Sequence, residues 1–165
     1  MIEPSLREHV ASDGYRLKFR HWAPVNPRGI VIALHGIQSH SGWYDYSSRR
    51  LADAGFAVYF PDRRGSGLNG FQRGHAAHAM RLVNDVRALR ELAINETVVG
   101  TVDSNAQLPI TILGISWGGN WQQSSRHCFR GNSIASRCCI RAWLPESGQP
   151  GRSFYDSIWH ARLKS

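Results

Sequence analysis

The hexapeptide Leu108-Pro109-Ile110-Thr111-Ile112-Leu113 runs without a break into Gly114-Ile115-Ser116-Trp117-Gly118-Gly119. A short, β-branched apolar run suits a buried strand. Glycines two residues either side of a serine suit a sharp turn from that strand into a helix. The constraint is steric. A turn this tight holds Ser116 in a strained conformation and lifts its hydroxyl clear of the sheet. Gly114 and Gly118 lack the Cβ atoms that would collide there. The start of the following helix aims backbone N–H groups, and the positive end of its dipole, at the same point. Ser116 is therefore the candidate nucleophile.

Two earlier apolar runs have the same character. Gly29-Ile30-Val31-Ile32-Ala33-Leu34 ends at His35-Gly36, and Phe56-Ala57-Val58-Tyr59-Phe60 closes at Pro61-Asp62. Apolar on both faces, such runs belong inside a parallel sheet covered by helices. Between them, roughly Tyr44 to Ala54 predicts a helix with Leu51 and Ala54 facing inward and Gly55 as its stop. A Gly- and Arg-rich loop spans Arg63 to Gly74. Beyond it, Ala76 to Ala93 sets Leu82, Val83, Val86, Leu89, Leu92 and Ala93 at helical spacing. Asn95 to Gln107 reads as a polar connection. Near the N-terminus, Tyr15 to Trp22 alternates like a half-exposed strand and pairs with Leu6 to Val10 in a hairpin turning at Ser12-Asp13-Gly14. Strands alternating with helices of this size predict right-handed crossovers and an α/β fold with a mostly parallel sheet.

The residues after the first buried strand complement the serine. Gly36 lets the backbone turn tightly, so that the N–H of Ile37 can point into the site. With the N–H of Trp117 it would form a two-donor cradle for a tetrahedral oxyanion. His35 stands at a strand end beside that cradle and is read as structural rather than as the catalytic base.

The segment His35-Gly36-Ile37-Gln38-Ser39-His40-Ser41-Gly42-Trp43-Tyr44 resembles the HGxGEHSGRY segment of the monoacylglycerol lipase and lysophospholipase group, which shares its α/β-hydrolase domain with the serine aminopeptidases. Asp62-Arg63-Arg64-Gly65-Ser66-Gly67 and Gly70-Phe71-Gln72-Arg73-Gly74 resemble that group's DxRGHGxSxG and RG loops. Val83-Asn84-Asp85-Val86 resembles its Asp-containing helix. The match covers about residues 5 to 119 in the family's order. It implies Ser116 as nucleophile, Ile37 and Trp117 as oxyanion donors, a small-molecule acyl ester such as an acylglycerol as substrate, and no cofactor. Two positions depart from the pattern: Gln38-Ser39 replaces Gly-Glu, and Ser66 replaces a His. The resemblance also implies an Asp or Glu and then a His on later strands, on the order of a hundred residues beyond the serine. Only 49 residues follow Ser116, and Glu146, Asp156, His127 and His160 among them do not reproduce that spacing.

Composition bears mainly on the end of the chain. Residues 1–119 carry 13 Lys/Arg against 10 Asp/Glu, and residues 120–165 carry 7 against 2. The net charge of +8 is thus concentrated in a segment with eight Ser, six Arg, three Trp and all three Cys, and with no sustained period. With no stacking-aromatic or recognition-helix pattern, the charge does not predict a nucleic-acid partner. Cys128, Cys138 and Cys139 lack zinc-site spacing, so no metal is expected. Residues 1–119 read as the front half of a hydrolase domain, truncated after the turn at Ser116. Residues 120–165 read as an atypical basic tail, explained most simply by a frameshifted or truncated gene model, and an inactive remnant is the alternative to an enzyme. The longest apolar run is too short to span a bilayer, so no stable membrane insertion is expected. The N-terminus lacks a secretory pattern, and a cytoplasmic location is expected.

Overall fold

A computed structural model of the chain describes residues 2–116, apart from 101–107, together with Gly118; for residues 98–100 it describes the backbone alone. The elements are β1 (Ser5–Val10), β2 (Arg16–Trp22), β3 (Gly29–Leu34), a 3-10 turn (Ser41–Tyr44), α1 (Asp45–Asp53), β4 (Phe56–Pro61), α2 (Ala79–Gly100) and β5 (Ile110–Gly114). The strands form one sheet in the order β1-β2-β4-β3-β5. β1 and β2 are an antiparallel hairpin, and β2 lies antiparallel to β4. β4 and β5 flank β3 in parallel.

This order follows from the two crossovers. From β3 the chain passes through α1 to β4 on one side. From β4 it passes through α2 and returns across β3 to β5 on the other. Right-handed crossovers running in opposite directions lie on opposite faces of the sheet, and the core is divided accordingly. Ile30, Ile32 and Leu34 of β3 pack with Tyr59, Ile110, Ile112 and the Val83, Val86, Leu89 and Ala93 face of α2. Val31 and Ala33 point the other way and pack with Trp22, Val58, Phe60 and Ala52 of α1. All six residues of β3 are buried, as its two-faced apolar run predicts. On α1, Ser48 and Ala52 are the fully buried residues, while Leu51 packs at the margin of that cluster.

Ala54, expected to face inward, is instead the exposed C-cap of α1, and the second helix differs in length. The polar stretch from Asn95 does not end the second helix, which continues to Gly100. Glu96, one turn past the apolar stripe, has partners waiting: it accepts from Arg7 Nη1 of β1 at 2.7 Å and from the Tyr59 hydroxyl of β4 at 3.0 Å. Partners on two strands extend a helix that apolar spacing alone would stop. A second ion cluster ties the N-terminal hairpin to α2 through the loop after β4. Arg64, nearly buried, bonds both oxygens of Asp85 on α2 (2.6 and 2.7 Å) and both of Asp13 in the hairpin turn (2.7 and 2.9 Å), and lies over the Tyr15 ring at 4.3 Å. Such forked, charge-assisted bonds fix orientation as well as distance.

Candidate active site

The chain reverses direction across the sheet at β3, so the carboxyl ends of β3 and β5 open a crevice of the kind where α/β sheets hold ligands. Their register runs from Ile30↔Ile110 to Leu34↔Gly114, and the Ile115 N–H extends it by donating to Leu34 O at 2.9 Å. Two residues further on, Gly36 and Ser116 come level. A methyl group on Gly36 would lie 3.5 Å from Ser116 Cβ, so the glycine of the loop after β3 and the candidate nucleophile are direct neighbours.

Ser116 has φ +54°, the left-handed region that non-glycine residues avoid, and its side chain is exposed. The turn is held by Gly118 N–H donating to Ile115 O at 3.0 Å. A Cβ on Gly118 would fall 2.4 Å from Leu34 O and 3.0 Å from His35 O, so any side chain would strike backbone. Gly114, buried, is the last residue of β5. Sharp reversal, exposed hydroxyl and forced glycine together are the strained turn expected at Ser116.

The loop after β3 is pinned from beneath. His35 is fully buried. Its Nδ1 donates to Gly36 O at 2.7 Å, and its Nε2 accepts the Arg63 N–H at 3.0 Å. Burial lowers its pKa below the ordinary histidine value, which keeps the ring neutral and suits one donating and one accepting nitrogen. With both nitrogens occupied, His35 is structural, as its position at the strand end suggested. Arg63 Nη2 donates to Gly36 O at 3.0 Å and to Ile37 O at 2.8 Å. Because a trans peptide holds C=O and the next N–H antiparallel, drawing Gly36 O toward His35 and Arg63 turns the Ile37 N–H the opposite way. That N–H has no hydrogen-bond partner among the described residues.

Asp62 anchors the second loop to the first. Fully buried, it accepts from Ser41 N–H at 2.6 Å and from Leu68 N–H at 2.9 Å. Gly67, at φ +49°, comes so close to this carboxylate that a Cβ would lie 2.3 Å from Oδ2. The Asp62 to Gly67 motif is thus a brace between loops.

Ser116, Ile37, Gly36, Gly114 and Gly118 meet in one place. Trp117, the second expected donor, lies outside the described residues, as do His127, Cys128, Cys138, Cys139, Glu146, Asp156 and His160. Sequence reasoning did not single out Arg63 as the residue that holds the carbonyls of Gly36 and Ile37. The available signal was its place directly after Asp62, where the chain leaves β4.

A mixed sheet wound in both directions, with a strained serine after the parallel strand β5 and a pinned glycine loop after its neighbour β3, defines an α/β-hydrolase. The model of the serine aminopeptidase S33 family matches residues 25–127, eight residues past Gly119, and the chain belongs to that family. The monoacylglycerol lipase of Mycolicibacterium smegmatis is 34% identical over 122 residues, which are 72% of this chain and 41% of that protein. The monoglyceride lipase of Homo sapiens is 30% identical over 115 residues, 67% of this chain and 34% of that protein. A thermostable carboxyl esterase from Bacillus coagulans, solved in complex with glycerol, superposes with a TM-score of 0.63 at 23% identity, over 76% of this chain and 40% of that one. The chain therefore spans less than half the length of each of these relatives.

Proposed function

We propose that the chain carries the nucleophile and oxyanion half of a serine carboxylic-ester hydrolase, with a small acyl ester, acylglycerol-like, as substrate. Ser116 Oγ attacks the acyl carbonyl carbon. The oxyanion that forms is held by the N–H groups of Ile37 and Trp117. Collapse breaks the bond to the alcohol oxygen, which takes up the proton given up by the Ser116 hydroxyl, and leaves an acyl-serine that water then hydrolyses to the acid and free serine. The observation that carries this reading is the pairing of Ser116, at φ +54°, with a neighbouring glycine loop whose Ile37 N–H is left without a partner. The names of the two curated relatives, both glyceride lipases, support the substrate class. A cytoplasmic location is part of the same reading. Among the described residues no helix is long and apolar enough to cross a membrane. Nucleic acid has no part in the reading.

The test is hydrolysis of monobutyrylglycerol by the purified chain. Turnover that disappears in Ser116→Ala supports the assignment, and turnover that survives the substitution overturns it. One observation favours a second reading, an inactive remnant. His35 is spent on Gly36 and Arg63 and cannot serve Ser116 as base. That reading expects no turnover from either protein.

A further inference from the structure

A cavity of about 550 Å³ opens beside the oxyanion loop, walled on one side by Ile37 to His40 and on the other by the loops at residues 65–68 and 73–74. Its volume is in the range of small-ligand sites. Its charge is one-sided. Arg20, Arg73, His40, Ser39 and Ser66 line it, and among the described residues no Asp or Glu does. The buried Asp62 accepts the N–H groups of Ser41 and Leu68 and also forms an ion pair with Arg20 Nη1 at 3.9 Å, so Arg73 carries the cavity's uncompensated charge among the described residues.

Ser39 is committed, its hydroxyl donating to Gly36 O at 3.3 Å, but the cationic side chains and His40 have capacity left. Arg20 uses Nη1 on the Ser41 hydroxyl and holds that nitrogen 3.9 Å from Asp62, with no further partner among the described residues. Arg73 has no carboxylate partner among them. His40 accepts the Gly42 N–H at Nδ1, which leaves Nε2 to face a ligand. The wall bearing Arg73 is also braced. Gly74 N–H donates to Gly65 O at 3.2 Å, and the loops approach so closely that a Cβ on Gly65 would lie 2.6 Å from Gly74 N. Cationic and hydroxyl donors held open by glycine contacts form a preorganised site for an oxyanion.

We infer that this cavity binds a compact anionic group, a phosphate or a carboxylate, carried by the ester whose carbonyl sits at Ser116. The inference rests on the ester reading for the position of the substrate, because Ile37 both borders Gly36 at the serine and lines the cavity. Arg73 and Arg20 supply the charge, and the His40 ring and the Ser66 hydroxyl supply further donors around it.

The experiment measures affinity with Ser116→Ala protein, so that no turnover is needed. Three ligands are compared: monobutyrylglycerol, butyrylglycerol 3-phosphate, and the butyryl ester of glycerate. The expected result is that at least one anionic ester binds about tenfold tighter than the neutral one, the scale of one good hydrogen bond to a charged group. The preference should shrink severalfold between about 50 and 300 mM salt. Arg73→Gln, an exposed substitution, should collapse the difference between charged and neutral esters. The tighter of the two anions identifies the group. Equal affinity for all three, no measurable binding, or a preference that Arg73→Gln leaves intact overturns the inference. Loss of the preference counts against this subsite alone, whereas the hydrolase assignment is decided separately by turnover and labelling at Ser116.

Discussion

The Arg63 guanidinium donates to the carbonyl of Ile37 at 2.8 Å, and through the neighbouring Gly36 carbonyl it sets the direction of the Ile37 N–H. In the proposed reaction Arg63 would act only through the backbone, as a positioning residue. Losing an oxyanion donor typically costs about 3 to 4 kcal/mol of transition-state stabilisation, and misaiming one costs less. Arg63→Met should lower kcat on a short-chain ester by about ten- to a hundredfold with little change in KM. A fall in KM of the same size, or no fall in kcat, would show that Arg63 does not act through the loop.

The backbone at Ser116 makes a prediction of opposite sign for stability and activity. A non-glycine residue at φ +54° carries a cost of about 1 kcal/mol that glycine escapes. Ser116→Gly should therefore unfold at a higher urea concentration than Ser116→Ala, by a difference of about 1 kcal/mol, while both are inactive. Equal midpoints, or a less stable glycine variant, would mean that the turn is not strained at this residue.

Acid should weaken the fold through His21. Its ring stacks on Tyr59 with centroids 4.2 Å apart, its Nδ1 faces Arg7, and burial, reinforced by Arg7, pushes its pKa down to about 4. The unfolded chain takes up a proton near pH 6.5 and the folded chain does not. His21 thus contributes stability above pH 6.5 that is lost progressively as the pH falls toward 4. Between pH 7.5 and 5 the loss from this residue should be about 2 kcal/mol, read from urea melts at the two pH values. His21→Phe should flatten that slope. The depressed pKa of His35 acts in the same direction.

The parts of the fold that could be read from the chain are those where local chemistry and packing agree. β3 and β4 are apolar on both faces because both faces are covered, and Gly114 to Gly118 is punctuated as its turn requires. The length of α2 was not legible. Its last turns depend on Arg7 and Tyr59, which are 89 and 37 residues from Glu96 in sequence. The same is true of the site. Ser116 and Gly36 announce themselves locally, whereas the work of Arg63 and Asp62 is a matter of which carbonyl or N–H the fold brings to them. The charged cavity is less legible still, since Arg20, His40 and Arg73 come from three separate segments.

The most direct measurement of the central claim is covalent labelling with a fluorophosphonate, followed by mass mapping of the modified peptide. A serine raised on a strained turn beside an open oxyanion cradle should be phosphonylated selectively, with the adduct on Ser116 and no labelling of Ser116→Ala. An adduct on another serine, or an intact chain that resists the reagent while it retains its fold, would contradict the account.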